Sequence, residues 1–355
     1  MTTLFAKLAE HDFQRVVFCN DNASGLKAII AIHDTTLGPA LGGVRMRPYQ
    51  SEAEALEDVL RLARGMTYKA AISGVDLGGG KSVIIGDPAR KTEALFRAMG
   101  RQIEALGGHY IAGQDIGTGA DDMAMIFKET RHVTCVAESA GGGGDPSFAT
   151  AYGVVAGIRA VLKETTGSDA LDGRTIAIQG VGHVGYFVAR YCHEAGARLV
   201  VADTSSAATE KTRSEFGAKV VSTDAIYDVE CDVFSPNSVG AIVNDDTVPR
   251  FRCGAIAGGA NNVLAELRHG EMLERRGIAY GPDYLVNSGG LIHCQAILRN
   301  QRNREHILRQ VDGIYDKTLE VFQKARTEGV TAAVAADRVA EERIARSRAG
   351  MKGAE

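Results

Sequence analysis

The stretch Arg174–Asp203, RTIAIQGVGHVGYFVARYCHEAGARLVVAD, decides how this chain folds. Arg174 to Gln179 is an apolar run of strand length, and it feeds directly into Gly180-Val181-Gly182-His183-Val184-Gly185. A helical pattern then continues to Ala195, and a second strand, Ala197 to Ala202, ends in Asp203. Glycines at this spacing are weak evidence alone. Here they follow a strand, open a helix and meet an acidic residue about twenty positions on, which is the context of a dinucleotide-binding turn. The glycines permit a tight turn and close approach of backbone to a pyrophosphate seated on the helix N-terminus. Asp203 would accept hydrogen bonds from ribose hydroxyls and repel a 2′-phosphate. No arginine follows it immediately, so the pattern predicts NAD rather than NADP.

Working outward, Cys231 to Phe234 and Gly254 to Ala257 extend the series of apolar strands. Two asparagine-bearing loops, AGGANN (257–262) and VNSGG (286–290), fall where later strands end, either to orient polar ligand groups or simply as turns. Residues 305–326 read as one long amphipathic helix, and a last helix near 331–348 returns to cover the first domain. Upstream, a helix spans about 148–163, preceded by AGGGGDPS (140–147), whose four glycines mark a hinge or domain boundary. The expected fold class is α/β with two domains. Residues 1–140, with 330–355 packing back on them, form an α/β substrate and oligomerisation domain; 141–329 form a Rossmann NAD-binding domain.

The first domain carries GMTYKAAISGVDLGGGK (65–81), with Lys69 ending a helical pattern and Lys81 directly behind Gly78, Gly79 and Gly80. Held near each other, two ammonium groups repel, which favours one acting as a base. Alone, the stretch reads equally as two solvated lysines flanking a turn. It is not a P-loop: the required glycine five positions before Gly80 is Val75, and a strand rather than a helix follows. Around it the sequence predicts a strand pair, Arg15 to Cys19 and Leu26 to His33. A loop with Gly38, Gly42 and Gly43 follows, then a capping box at Ser51 and Glu54. A strand at 82–85, a helix near 92–106 and a strand at 109–112 continue the alternation. Asp115 stands just past that last strand, where α/β folds keep reactive groups, or where it caps a turn.

Composition sets the outer bounds. The chain has 355 residues, 45% hydrophobic and 24% charged, with a net charge of −4, so it presents no basic field for nucleic acid or anionic lipid. No apolar run reaches the roughly 20 residues of a membrane helix. Six scattered cysteines without a CxxC pair read as reduced thiols of a cytoplasmic protein. The nine histidines form no metal-ligand spacing, and no metal site is expected.

The segments AIHDTTLGPALGG (31–43), LARGMTYK (62–69), LGGGKSVIIGDP (77–88), TAYGV (150–154), VECDVFSP (229–236), PDYLVNSGG (282–290) and AADRVAEERI (335–344), together with the glycine turn, carry a resemblance nearly end to end. The chain resembles the amino-acid dehydrogenases of the glutamate/leucine/phenylalanine/valine dehydrogenase family, its leucine branch most of all. The resemblance implies oxidative deamination of an apolar L-amino acid to a 2-oxo acid and ammonia, with NAD as cofactor. It implies Lys81 and Asp115 as catalytic residues and Lys69 as holder of the substrate carboxylate. Gly42, Gly43 and Asn262 would lie near the substrate, while Leu41, Gly113, Leu291 and Cys294 would line its side-chain pocket. Thr150, Asn261 and Asn287 would join Gly180–Gly185 and Asp203 at the cofactor. A homo-oligomer, up to an octamer, is implied through the first domain. Leucine-type members resemble each other in an alanine where Gly113 stands, and aromatic-type members in a glycine, so phenylalanine or tryptophan is the alternative substrate. His183 stands where an asparagine is usual. An NAD-binding sensor without turnover would lack Lys69, Lys81 or Asp115, and all three are present.

Overall fold

The computed structural model describes residues 4–352. These fall into two compact units, the first running to Asp145 and including 294–302 and the residues from Ala340 on, the second 146–293 and 303–339.

The first unit begins with α1 (Leu4–Glu10), β1 (Arg15–Asp21), β2 (Leu26–Asp34) and β3 (Ala40–Arg47). It continues with α2 (Glu52–Ser73), β4 (Gly78–Ile85), α3 (Glu93–Glu104), β5 (Tyr110–Gln114) and α4 (Ala120–Phe127). Its mixed sheet has the order β1-β2-β4-β3-β5. β1 and β2 form the expected antiparallel pair, and β3 runs parallel to both β4 and β5. β2 is buried along almost its whole length, which matches its unbroken apolar sequence. Ala55, Val59, Leu60 and Ala63, spaced at the helical period, pack α2 onto Ile29, Ala31 and Val83 of the sheet. The Ser51 hydroxyl caps α2 by accepting from the Glu54 amide, while Glu54 reaches back to the Gln50 amide.

Two sequence expectations are corrected here. The segment read as a glycine loop is β3, in the interior of the sheet. Gly78, Gly79 and Gly80 are strand residues of β4 rather than a turn, and none of them has positive φ. Their purpose is proximity. A Cβ on Gly42 would lie 1.7 Å from the Gly80 carbonyl oxygen, and one on Gly79 would lie 2.1 Å from the Thr67 amide nitrogen. The glycines let β3 lie tight on β4 and α2 tight on the sheet.

The second unit contains α5 (Ser147–Thr166), β6 (Thr175–Gln179), α6 (His183–Glu194), β7 (Arg198–Ala202), α7 (Ser206–Phe216), β8 (Lys219–Val220), β9 (Glu230–Pro236) and β10 (Arg252–Ile256). After α8 (Arg268–Arg275), β11 (Ala279–Tyr280) and α9 (Asp283–Val286) come α10 (Gly289–Leu298), α11 (Arg304–Asp312), α12 (Ile314–Glu328) and α13 (Ala332–Lys352). The C-terminal parts of α10 and α13 belong to the first unit. The sheet, β11-β10-β9-β6-β7-β8, is wholly parallel and has the doubly wound dinucleotide-binding order, with its switch point between β6 and β9. Phe234 and Phe251, with ring centroids 5.0 Å apart, anchor its core. The expected loop at 286–290 is instead a break between α9 and α10. The helix expected over 305–326 is two helices meeting at Gly313. Among the described residues no helix is long and apolar enough to cross a membrane.

Replacing Gly42 by Ala forces β3 and β4 apart and is expected to cost roughly 3 kcal/mol or more, read from urea unfolding. Gly65→Ala is the control: a Cβ there meets nothing within 4 Å. On the exposed face of α2 it should stabilise by roughly 0.5–1 kcal/mol.

Candidate active site

In the first unit the site is built around one carboxylate. β4 carries Lys81, 6% exposed, and β5 delivers Asp115 immediately beyond its carboxyl end. Lys81 Nζ lies 2.7 Å from Asp115 Oδ2, and Arg45 Nε, from β3, lies 3.1 Å from the same oxygen. Burial works against a charged Asp115, but the Lys81 ammonium and the Arg45 guanidinium outweigh it and bring the carboxyl down to about 2. Lys81 is thus set against a carboxylate, a different environment from the two-lysine repulsion read from the sequence. Arg45 is itself held, its Nη1 3.0 Å from Asp58 Oδ2, and Asp58 also accepts from Tyr49 and Arg61 at 2.8 Å each. Sequence reading missed Arg45 and Asp58. The signal was strand alternation, which puts Arg45 on the same face of β3 as Gly43.

Gly43 forms the floor of this site. A Cβ there would lie 2.7 Å from Asp115 Cβ and 3.2 Å from Lys81 Nζ, so only glycine leaves the pair uncovered. The Gly42 carbonyl accepts from Tyr110 at 2.7 Å. Leu41 is buried two residues before Gly43 on the same strand. Lys69 is half-buried on α2, two residues past Thr67, which presses on Gly79 two residues before Lys81. The Thr67 hydroxyl is bonded to His33 Nδ1 at 2.8 Å, which fixes the register of α2 on the sheet. Gly113 pairs with Gly43 across β3 and β5; a Cβ on it would meet Thr134 Cγ2 at 3.5 Å and Cys135 Sγ at 3.7 Å. Cys135 Sγ in turn lies 3.8 Å from Cys294 Sγ, which brings Gly113 and Cys294 to one wall. Leu291 is buried one turn before Cys294 on α10.

The second unit supplies a cradle at its switch point. Gly180, at φ +85°, turns out of β6, and a Cβ on Gly185 would lie 1.9 Å from the Gly180 carbonyl oxygen. Val181 is buried, and Gly182 and His183 open α6 at the surface, where a Cβ on Gly182 would meet nothing within 4 Å. The Asp203 carboxylate accepts from the amides of Val181 and Ser205 at 2.8 Å each, which ties the end of β7 to the glycine turn. Across the switch point Asn237, which sequence reading missed, donates its amide to Gln179 and accepts from Gly259. Asn287 Nδ2 donates to Asn261 Oδ1 at 2.9 Å and to the Ala260 carbonyl at 3.1 Å, while its Oδ1 is buried with no partner. Asn262, exposed at φ +52°, follows in a left-handed turn. The Thr150 hydroxyl packs against Gly290. An open helix N-terminus, glycines that a Cβ would fill and an orphaned buried acceptor together fit a dinucleotide with a carboxamide donor. Among the described residues no cluster of three or more His, Cys, Asp or Glu could hold a metal ion.

Residues 13–132 match the model of the Glu/Leu/Phe/Val dehydrogenase dimerisation domain, and 141–212 and 203–350 match that of the Glutamate/Leucine/Phenylalanine/Valine dehydrogenase domain. The leucine dehydrogenase of Thermoactinomyces intermedius is 53% identical over 342 residues, covering 96% of this chain and 93% of that one. The phenylalanine dehydrogenase of the same organism is 46% identical, covering 97% and 94%. The crystal structure of L-tryptophan dehydrogenase from Nostoc punctiforme superposes with a TM-score of 0.85 at 42% identity, covering 98% of this chain and all of that one.

The depressed Asp115 value carries a pH signature. Its contribution to stability is complete above the ordinary value of 3.8 and is lost as pH falls through about 2. That contribution is roughly 2 kcal/mol. Urea unfolding between pH 5 and 2 should show this share of the slope in the native chain and its absence in Asp115→Asn.

Proposed function

This chain belongs to the Glu/Leu/Phe/Val dehydrogenase family, and we propose that it is an NAD-dependent dehydrogenase of apolar L-amino acids, branched-chain substrates first. The observation that carries the reading is the Lys81–Asp115 pair, 2.7 Å apart and left uncovered by Gly43. Lys69 holds the substrate α-carboxylate with its ammonium. Asp115, kept ionised by Lys81 and Arg45, faces the substrate nitrogen and stabilises the positive charge of the imine. The bound dinucleotide supplies a hydride acceptor for the substrate Cα. In its neutral amine form Lys81 takes a proton from the water that attacks the imine carbon, and the ammonium so formed returns that proton to the departing ammonia. Gly42 and Gly43 give the substrate room beside the sheet, and Leu41, Gly113, Leu291 and Cys294 meet its side chain.

Gly180–Gly185 would receive the pyrophosphate and Asp203 the adenine ribose. Thr150, Asn261, Asn262 and Asn287 would lie on the nicotinamide side, with the orphaned Asn287 Oδ1 accepting from the carboxamide. Gly113 favours a second reading: a methyl there would sit at ordinary contact distance from Thr134 and Cys135, and its absence leaves that volume to a larger, aromatic side chain. The dimerisation-domain match supports a homo-oligomer, and we extend it to an octamer on family grounds. The six free cysteines support a cytoplasmic location.

Lys81→Ala should lower kcat by roughly 10²–10⁴-fold while NAD binding, followed by tryptophan-independent nucleotide fluorescence or calorimetry, stays near normal. Deamination at native rates by that variant removes Lys81 from the mechanism. A profile of NADH and NADPH production over the standard L-amino acids should place leucine, isoleucine or valine ahead of phenylalanine and tryptophan, with NAD well ahead of NADP. Equal kcat/KM with both cofactors would show that Asp203 does not meet the ribose.

A further inference from the structure

We propose that Cys135 and Cys294 form a reversible dithiol–disulfide switch in the wall of the side-chain subsite. Two independent observations carry it. The sulfurs lie 3.8 Å apart and both residues are buried, although 159 positions separate them in sequence. Cys135 also holds φ +60°, a left-handed conformation that favours glycine and that a cysteine adopts only against strain.

The fold explains how they meet. Ala112 of β5 pairs with Val133 in an isolated parallel bridge, with Thr134 N–H donating to the Ala112 carbonyl at 2.7 Å. This lays the 132–135 segment along the open edge of β5 and places Cys135 beside Gly113. Cys294, on α10, belongs to the same compact unit and closes the pair.

The chemistry balances with hydrogen peroxide as oxidant. One thiol sulfur attacks the peroxide oxygen, forming a sulfenic acid and releasing water that carries off the thiol proton. The second thiol then attacks the sulfenic sulfur. The S–S bond forms, and the hydroxyl leaves as a second water with the second thiol proton. Two electrons pass from sulfur to peroxide, and a dithiol reductant reverses the result. The hydrogen bond with Cys294, with burial added, pushes the Cys135 thiol well above its ordinary value. Cys135 therefore rests as a neutral thiol, and the pair answers sustained rather than brief exposure. Bond formation shortens the sulfur separation from 3.8 Å to about 2.05 Å, which re-aims both side chains behind Gly113 and joins the 132–135 segment covalently to α10. The effect on turnover rests on the substrate subsite proposed above.

The test uses the reduced full-length enzyme, treated with graded hydrogen peroxide and read by non-reducing peptide mapping and by kinetics with leucine and phenylalanine. The expected result is a mass loss of about 2 Da per chain, mapped to a Cys135–Cys294 cross-link. A several-fold loss of kcat/KM should accompany it and be restored by dithiothreitol. Cys135→Gly, which suits the left-handed backbone, and Cys294→Ala should each form no such link and keep the kinetics of their own reduced forms. Absence of the link overturns the proposal, as does a link confined to Cys231 and Cys253, which face each other across β9 and β10. A complete link with unchanged kinetics also overturns it. A reduced enzyme inactive on every amino acid sinks the functional reading instead, because the mass map speaks to the cysteines alone.

Discussion

A carboxylate shared by a buried lysine and a largely buried arginine is the constraint on which the first unit depends. Removing Lys81, Arg45 and Asp115 from water is costly, and only their mutual contact at 2.7 and 3.1 Å makes it tolerable. Three adjacent strands must therefore stay in register, because each contributes one member. Asp58 on α2 extends the cluster by holding Arg45 from the other side, with Tyr49 and Arg61 completing its hydrogen bonds. The helix that bears Lys69 is thereby tied to the strand that bears Lys81 through charge as well as through apolar packing.

The second unit solves a different problem by different means. Its strands are short, parallel and buried, and its polar work is done at one end, where strand order reverses between β6 and β9. Hydrogen bonds between loops rather than ion pairs shape that end: Val181 to Asp203, Gly259 to Asn237, Asn287 to Asn261. A dipolar lining of this kind suits a large ligand held at many weak points, whereas the charge cluster of the first unit suits a small zwitterion held at few.

Much of this was legible in the sequence, and the failures have physical causes. The β6 turn was readable because its glycines, flanking strand and distant aspartate are all local signals. Asp115 was readable because a strand end announces it. The interior position of β3 was not, since glycines normally argue against a central strand. Only the 1.7 Å approach of Gly42 to the Gly80 carbonyl shows why they are required there. Arg45, Asp58 and Asn237 were missed because each acts through a partner distant in sequence. The break at Gly313 was hidden because apolar spacing continues across it. Cys135 could not be distinguished from any other apolar thiol until its backbone conformation was visible.

The first unit is completed by the last residues of the chain. Arg343 of α13 donates to the carbonyls of Ala70 and Ala71 at the end of α2 and pairs with Asp76, and Arg348 pairs with Asp34. Arg299, beyond α10, also pairs with Asp76. During synthesis Asp145 leaves the ribosome long before these partners do. At 5–20 residues per second the wait from Asp145 to Ala340 is on the order of 10–40 s. For that interval the carbonyls ending α2 and the carboxylate of Asp34 lack the arginines that later hold them, while Asp76 has at most Arg299. The second unit extends to Val339, and Tyr284 in it donates to Asp337 of α13, so it too waits for most of the chain. The half synthesised first is thus completed only by the helix synthesised last.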